Sequence, residues 1–134
     1  MRSKARVLLI TPNLKGIGDG VNRMGPSLGL MLIAQPLLNE GHIVKIHDTA
    51  LEGWGNRKII DKKNNIVLIG QTNDQIASAI SDFCPDIVAI SVLFSNLLGS
   101  AHDIANIAKK MKVPFLCMCM MLGKQLNPYM LNSL

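Results

Sequence analysis

Four short apolar runs set the limits on what this chain can fold into: ARVLLIT (residues 5–11), IVKIH (43–47), DIVAISV (86–92) and VPFLCMC (113–119). Each has strand length, and the first and third are apolar at nearly every position. A strand that is apolar on both faces belongs inside a parallel sheet covered on both sides. Between the runs lie segments of helix length. Ser27 opens one that runs to about Glu40, with Gly41 to close it. Thr72-Asn-Asp-Gln75 is a capping box for a second, ending near Phe83 before Pro85. Ser100 opens a third, to about Lys110. The order predicts an α/β fold, a doubly wound parallel sheet with right-handed crossovers.

Two segments add detail. Residues 57–70, RKIIDKKNNIVLIG, read as a hairpin inserted between core units, with its turn over Asp61 to Asn65. The first helix is apolar nearly all round, through Leu28, Leu30, Met31, Leu32, Ile33, Leu37 and Leu38, and is expected to be deeply buried. Pro36 inside it removes a backbone donor and is expected to kink it, at about 3 kcal/mol.

Length suits one domain, residues 1–134, with a core over 4–119 and a divergent tail over 120–134. Net charge is +5, but the cations are scattered, and one Trp, one Tyr and three Phe give no basic stripe with interleaved aromatics. Nucleic acid is therefore not an expected partner. The longest apolar stretch, Leu28 to Leu38, is too short to span a bilayer and contains Gln35 and Pro36, so no membrane segment is expected. Three cysteines without a pairing pattern, Cys84, Cys117 and Cys119, fit a reducing, cytoplasmic setting.

Ligands on such sheets bind beyond the carboxyl ends of the strands. The loops to weigh are therefore 12–26, 48–56, 93–99 and 120–127. The first carries Gly16, Gly18, Gly20 and Gly25. A dinucleotide fingerprint needs G-x-G-x-x-G at the strand end with a helix starting inside it. Here the pattern is G-x-G-x-G, several residues beyond the strand, and the helix starts no earlier than about Pro26. Asp48, at the end of the second run, is the one feature that fits a nicotinamide or flavin nucleotide, through a ribose hydroxyl. A phosphoacceptor site fails on chemistry, because Thr11-Pro12-Asn13 and Ser91-Val92-Leu93 offer no acidic set for magnesium. His42, His47 and His102 lack a second metal ligand at useful spacing and read as structural or exposed.

Taken in order, P-S-L-G-L (26–30), G-H-x-V-x-I-x-D (41–48) and D-I-V-x-I-S-V-L-F-S-N (86–96) form a set. It resembles the N-terminal cobalamin-binding domain of cobalamin-dependent radical S-adenosylmethionine enzymes, over roughly residues 4–116. The resemblance implies a flavodoxin-like fold with a corrinoid across the carboxyl ends of the strands. It assigns the site to Thr11, Pro12, Asn13, Gly25, Asp48, Ser91, Leu93, Phe94, Ser95 and Asn96. Ser91, Ser95 and Asn96 would bond the cofactor's amides or phosphate. The lower face of the cobalt is expected to be empty, water-bound or shielded by apolar side chains of the 93–99 loop, with Leu93, Phe94 and Leu97 as candidates, and with no protein histidine as its ligand.

The chain departs from that family in two ways. Where a Gly-Gly segment would meet the corrinoid tail, it has Cys117-Met-Cys-Met-Met-Leu-Gly123. The C-x-x-x-C-x-x-C motif is missing, so no iron–sulfur cluster is expected in this chain. The expectation is a truncated cobalamin-binding domain, its sheet incomplete at the C-terminus. It would not be catalytic alone, would depend on a separate radical S-adenosylmethionine domain, and would be prone to self-association. The alternatives are a nicotinamide- or flavin-nucleotide module and a ligand-free remnant.

Overall fold

The computed structural model describes residues 4–20, 22, 25 and 27–119. Four strands form a parallel sheet: β1 (Arg6–Thr11), β3 (Ile43–Asp48), β6 (Ile87–Val92) and β7 (Phe115–Cys119), in the order β3-β1-β6-β7. Counting only these strands, the order is 2-1-3-4, the flavodoxin-like arrangement. Register fixes the strand ends together. Thr11 pairs with Asp48 across β1 and β3, and Ile10 pairs with Ile90 across β1 and β6.

Alternation along the strands divides the core in two. Leu8, Ile10, Val88, Ile90, Val92 and Cys117 face α3 (Asn73–Phe83) and α4 (Leu98–Lys110), and pack on Ile76, Ile80, Ala101 and Ile104. Val7, Leu9 and Ala89 face the other way and meet Leu30 and Ala34 of α1 (Leu28–Asn39). Residues i and i+2 share a face of a strand, so the apolar run supplies both cores at once.

Several helix boundaries follow from local chemistry. Thr72 and Gln75 make both bonds of the capping box at the start of α3. Gly41 takes φ +85°, and the N–H groups of Gly41 and His42 reach back to the carbonyls of Leu38 and Leu37, a glycine stop that closes α1. Arg6 ties β1 to the end of α3: its guanidinium donates to the Phe83 carbonyl at 2.8 and 2.9 Å and lies over the Phe83 ring.

Four expectations need correction. The 12–26 loop is not loop throughout: Leu14–Ile17 is a strand, β2, antiparallel to β5 (Ile66–Ile69), which in turn pairs with β4 (Arg57–Asp61). The hairpin thus becomes a three-stranded sheet, because the Leu14-Lys15-Gly16-Ile17 segment offers a full backbone ladder to β5. Ser100 does not open α4. The chain turns through a 3-10 turn at Ser95–Leu97 straight into the helix at Leu98, and Ser100 is buried within it. Ser27 precedes α1 but makes no side-chain cap bond. Finally, α1 is not deeply buried: only Leu30 and Ala34 are, and Leu28, Met31, Leu32, Ile33 and Leu38 are exposed. The helix lies on one face of the sheet, so its outer side has no covering layer among the described residues. It continues through Pro36.

Candidate functional site

The chain leaves β1 and crosses by α1 to β3 on one side of the sheet, whereas β6 continues by α4 to β7 on the other. The direction of winding reverses between β1 and β6, and at such a point the loops diverge and open a crevice. Thr11, Pro12 and Asn13 leave β1 there. Ser91, Leu93, Phe94, Ser95 and Asn96 end β6 and enter the 3-10 turn there. The topology therefore gathers eight of the ten sequence-derived candidates at the carboxyl ends of two adjacent strands. The other two lie on neither of those segments. Asp48 ends β3, one strand over, and Gly25 is exposed with open space where a Cβ would be.

The side chains differ in what they are free to do. Leu93, Phe94, Ser95 and Asn96 are exposed, and Phe94 is 68% exposed despite its size. Pro12 is buried. Leu97 is only 8% exposed and packs in the α3/α4 core, so it belongs to that core and shields no ligand. Asp48 is occupied as the cap of the one-turn helix α2 (Thr49–Glu52), accepting from the N–H groups of Ala50 at 3.0 Å and Leu51 at 3.1 Å. Both bonds fall on Oδ1, which fixes the orientation of the carboxylate.

Behind the crevice the strand ends are fastened by a polar knot that the sequence reading did not single out. The Thr49 hydroxyl donates to the Thr11 carbonyl at 2.8 Å. The Asn13 amide donates to the Gln71 carbonyl at 2.8 Å, and the Gln71 N–H donates to the Thr49 carbonyl at 2.9 Å. His47 is buried, and its Nε2 is hydrogen-bonded to the Gln71 side chain at 2.7 Å. Gly53 and Gly70 permit the close approach: a Cβ on Gly53 would collide with the backbone of Gly70 and Gln71, and one on Gly70 with the Asn13 side chain. Two glycines flanking the hairpin, at 53 and 70, were the available signal.

Three hydroxyls lie on the α1 side at this end of the sheet. Thr11 and Ser91 lie two residues beyond Leu9 and Ala89 and share their face, toward α1, and Ser27 precedes the first turn of α1. Thr11 Oγ1 and Ser27 Oγ are buried with no hydrogen-bond partner. Buried polar atoms are nearly always paired, so two unpaired hydroxyls at this end of the sheet mark a place where a polar group belongs. On the opposite side, a cavity of about 560 Å³ opens between the three-stranded sheet and the start of α3, with Asn13, Arg57, Lys58, Gln71 and Asn73 among its lining.

The crevice contains no nucleophile–base pair, and no group of three or more His, Cys, Asp or Glu suited to a metal occurs among the described residues. Its donors at β1 and β6 are neutral, with exposed apolar surface beside them. The Gly-Gly replacement at 117–123 lies only partly within the described residues, with Cys117 buried and Met118 packed toward the α1 side.

Among curated proteins, cytidylyl-2-hydroxyethylphosphonate methyltransferase of Streptomyces wedmorensis is 33% identical over 107 residues. The chain is similar to part of a methyltransferase. The match covers 80% of this chain and 20% of that protein, so the chain spans about a fifth of the length of the relative it matches. No protein-family model matches the chain, and no solved structure matches it. No helix among the described residues is long and apolar enough to cross a membrane.

Proposed function

We infer that this chain binds a corrinoid across the carboxyl ends of β1 and β6, as the cobalamin-binding part of a radical S-adenosylmethionine methyltransferase system. The observation that carries this reading is the strand order, in which the carboxyl ends of β1 and β6 lie side by side at the reversal of winding. Thr11, Ser91, Phe94, Ser95 and Asn96 are at those ends or on the segments that leave them, in a chain similar to part of a methyltransferase. A bound corrinoid would supply the cobalt chemistry of methyl transfer. The chain's own residues bind and orient. Phe94 and Leu93 would lie against the macrocycle, and Ser95 and Asn96 would bond its peripheral amides. Thr11, Ser27 and Ser91 would receive the polar tail on the α1 side. The polar knot of Thr49, Asn13 and Gln71 would hold the β1 exit rigid under the ligand. The cluster and S-adenosylmethionine would come from another domain.

Incubation with hydroxocobalamin, desalting and visible spectroscopy tests the binding. A retained corrinoid spectrum near one equivalent is expected. Loss of all cobalamin on desalting, with a folded chain by circular dichroism, would overturn it. Asp48, whose Oδ1 caps α2, does not by itself favour the nucleotide alternative.

A further inference from the structure

The cavity between the three-stranded sheet and the start of α3 takes no part in the corrinoid reading. Its volume is about 560 Å³. Small-molecule sites occupy roughly 300–1,000 Å³. Arg57 and Lys58, at the start of β4, line it, against a single carboxylate, Asp103 of α4. No hydrogen bond or ion pair engages either cationic side chain among the described residues. Asp61, the carboxylate of the same strand, is at its far end and held by Asn64. The Arg57 guanidinium lies 5.7 Å from the centre of the Trp54 ring. A guanidinium stacked on a ring keeps its N–H donors free, in a fork that matches the oxygens of a phosphate.

Two acceptors on the same lining ask for the opposite kind of group. Asp103 is exposed, and its carboxylate has no partner among the described residues. Asn13 is buried, and its Oδ1 has no hydrogen-bond partner although its amide donates to the Gln71 carbonyl. A buried acceptor is nearly always met in a folded protein. The cavity thus brings together two unengaged cations and two unmet acceptors. We propose that it binds a small phosphate monoester whose remainder carries hydroxyl or amino groups, as a nucleoside monophosphate or a sugar phosphate does. The phosphate meets Arg57 and Lys58, and the hydroxyl or amino groups donate to Asp103 and Asn13. Inorganic phosphate would leave much of the volume unfilled and the acceptors unmet. Leu68, also on the lining, offers apolar surface to a base. This inference does not depend on the corrinoid reading.

Isothermal titration calorimetry of the whole chain with AMP, CMP, ribose 5-phosphate and inorganic phosphate gives the test. At least one of the three esters is expected to bind saturably, with a dissociation constant below about 1 mM and about tenfold or more tighter than inorganic phosphate. The tighter of nucleotide and sugar phosphate names the source. Arg57→Gln combined with Lys58→Gln is expected to weaken the ester by about tenfold or more, as for lost charge-assisted contacts. Lys62→Gln combined with Lys63→Gln removes the same charge outside the cavity and should leave binding within about twofold. Asp103→Ala is expected to weaken the ester but not inorganic phosphate. All five side chains are exposed, so the melting curves should match wild type. Absence of binding by every ester at about 10 mM would overturn the proposal. So would equal losses in the two double variants, or inorganic phosphate binding as tightly as the esters. An ester displaced by one equivalent of hydroxocobalamin would overturn it too, because the cavity would then belong to the corrinoid's own phosphate.

Discussion

Asn13 closes over the bare α-carbon of Gly70, leaving no room for a Cβ between its side-chain amide and the Thr49 carbonyl. Gly70 also holds φ +143°, a backbone conformation that L side chains rarely adopt. The end of the hairpin and the exit from β1 are joined at this point. Gly70→Ala is therefore expected to destabilise the fold by about 2 kcal/mol or more. Gly55→Ala, where a Cβ would meet nothing, should stay within about 0.5 kcal/mol of wild type. Urea denaturation of the two variants checks this. Equal midpoints would mean that Asn13 yields freely and the knot is not rigid.

Phe94 and Leu97 are three residues apart and have opposite fates. Phe94→Ala should leave stability within about 0.5 kcal/mol, since the ring is mostly in water. It should weaken hydroxocobalamin binding by about 2- to 10-fold, the equivalent of about 0.5–1.5 kcal/mol for a lost aromatic contact. Leu97→Ala, from the core, should cost about 2–5 kcal/mol. Thermal melts and spectral titrations separate the two effects. Unchanged cobalamin affinity in Phe94→Ala would remove the ring from the site.

Those two residues also show what the sequence could and could not reveal. The core strands were readable because a buried parallel strand must be apolar at nearly every position, as RVLLIT and IVAISV are. The capping box at Thr72 was readable because its bonds are local. Strand β2 was not, since its partner β5 lies some fifty residues away and Lys15 and Gly16 give no apolar alternation. The apolar Leu97 reads in the sequence like Leu93 and Phe94, as part of one loop, but the loop ends at the 3-10 turn and the helix begins at Leu98. The 3-10 turn at Ser95–Leu97 rotates its side chain inward, a consequence of backbone path rather than residue type. The apolar helix α1 was expected to be buried because composition says what a surface prefers, not whether a second layer is there to cover it. That the segments after β1 and β6 lie side by side follows from the strand order, but the knot built on Thr49 and Gln71 depends on contacts between distant segments.

Asp48 is predicted to matter for folding through its cap. Asp48→Ala removes the acceptor for two N–H groups at the start of α2 and should cost about 0.5–2 kcal/mol. Asp48→Asn keeps an oxygen in place and should recover most of that. A denaturation series reading the two variants as equally damaged would show that charge, not capping, is what position 48 supplies.

The hairpin tip should respond to acid. The Asn64 amide and the backbone N–H of Asn64 both bond the Asp61 carboxylate and hold its pKa below the ordinary aspartate range. A carboxyl whose folded pKa is depressed favours the ordered turn above its unfolded pKa, and that preference is lost as pH falls through the folded value. Nuclear magnetic resonance titration of Asp61 should show a midpoint below that of a model peptide. Amide exchange at Asn64 should rise in the same acidic range. A midpoint at the model-peptide value would show that the turn does not hold the carboxylate.

The last prediction concerns the lower face of a bound cobalt. Many cobalamin domains place a histidine in the loop after the first strand, within D-x-H-x-x-G. Here Thr11-Pro-Asn-Leu-Lys-Gly16 follows β1 and leads directly into β2, and no histidine is in it. The three histidines of the chain sit elsewhere. His42 precedes β3, at the amino end of the sheet, and its Nδ1 accepts the Ala5 N–H at 3.1 Å. His47 is buried in β3 with its Nε2 committed to Gln71. His102 is exposed within α4. What does stand at the end of β6 is apolar and exposed, Leu93 and Phe94. The axial ligand is a main lever by which a protein tunes a metal macrocycle, and an apolar neighbour in place of an imidazole favours lower coordination. Cobalamin bound to this chain is therefore expected to carry no protein nitrogen beneath the cobalt. Electron paramagnetic resonance of the reduced cobalt(II) complex should show no nitrogen superhyperfine splitting attributable to the protein. Splitting that disappears on replacing His42, His47 or His102, with cobalamin still bound, would overturn the prediction and identify the ligand.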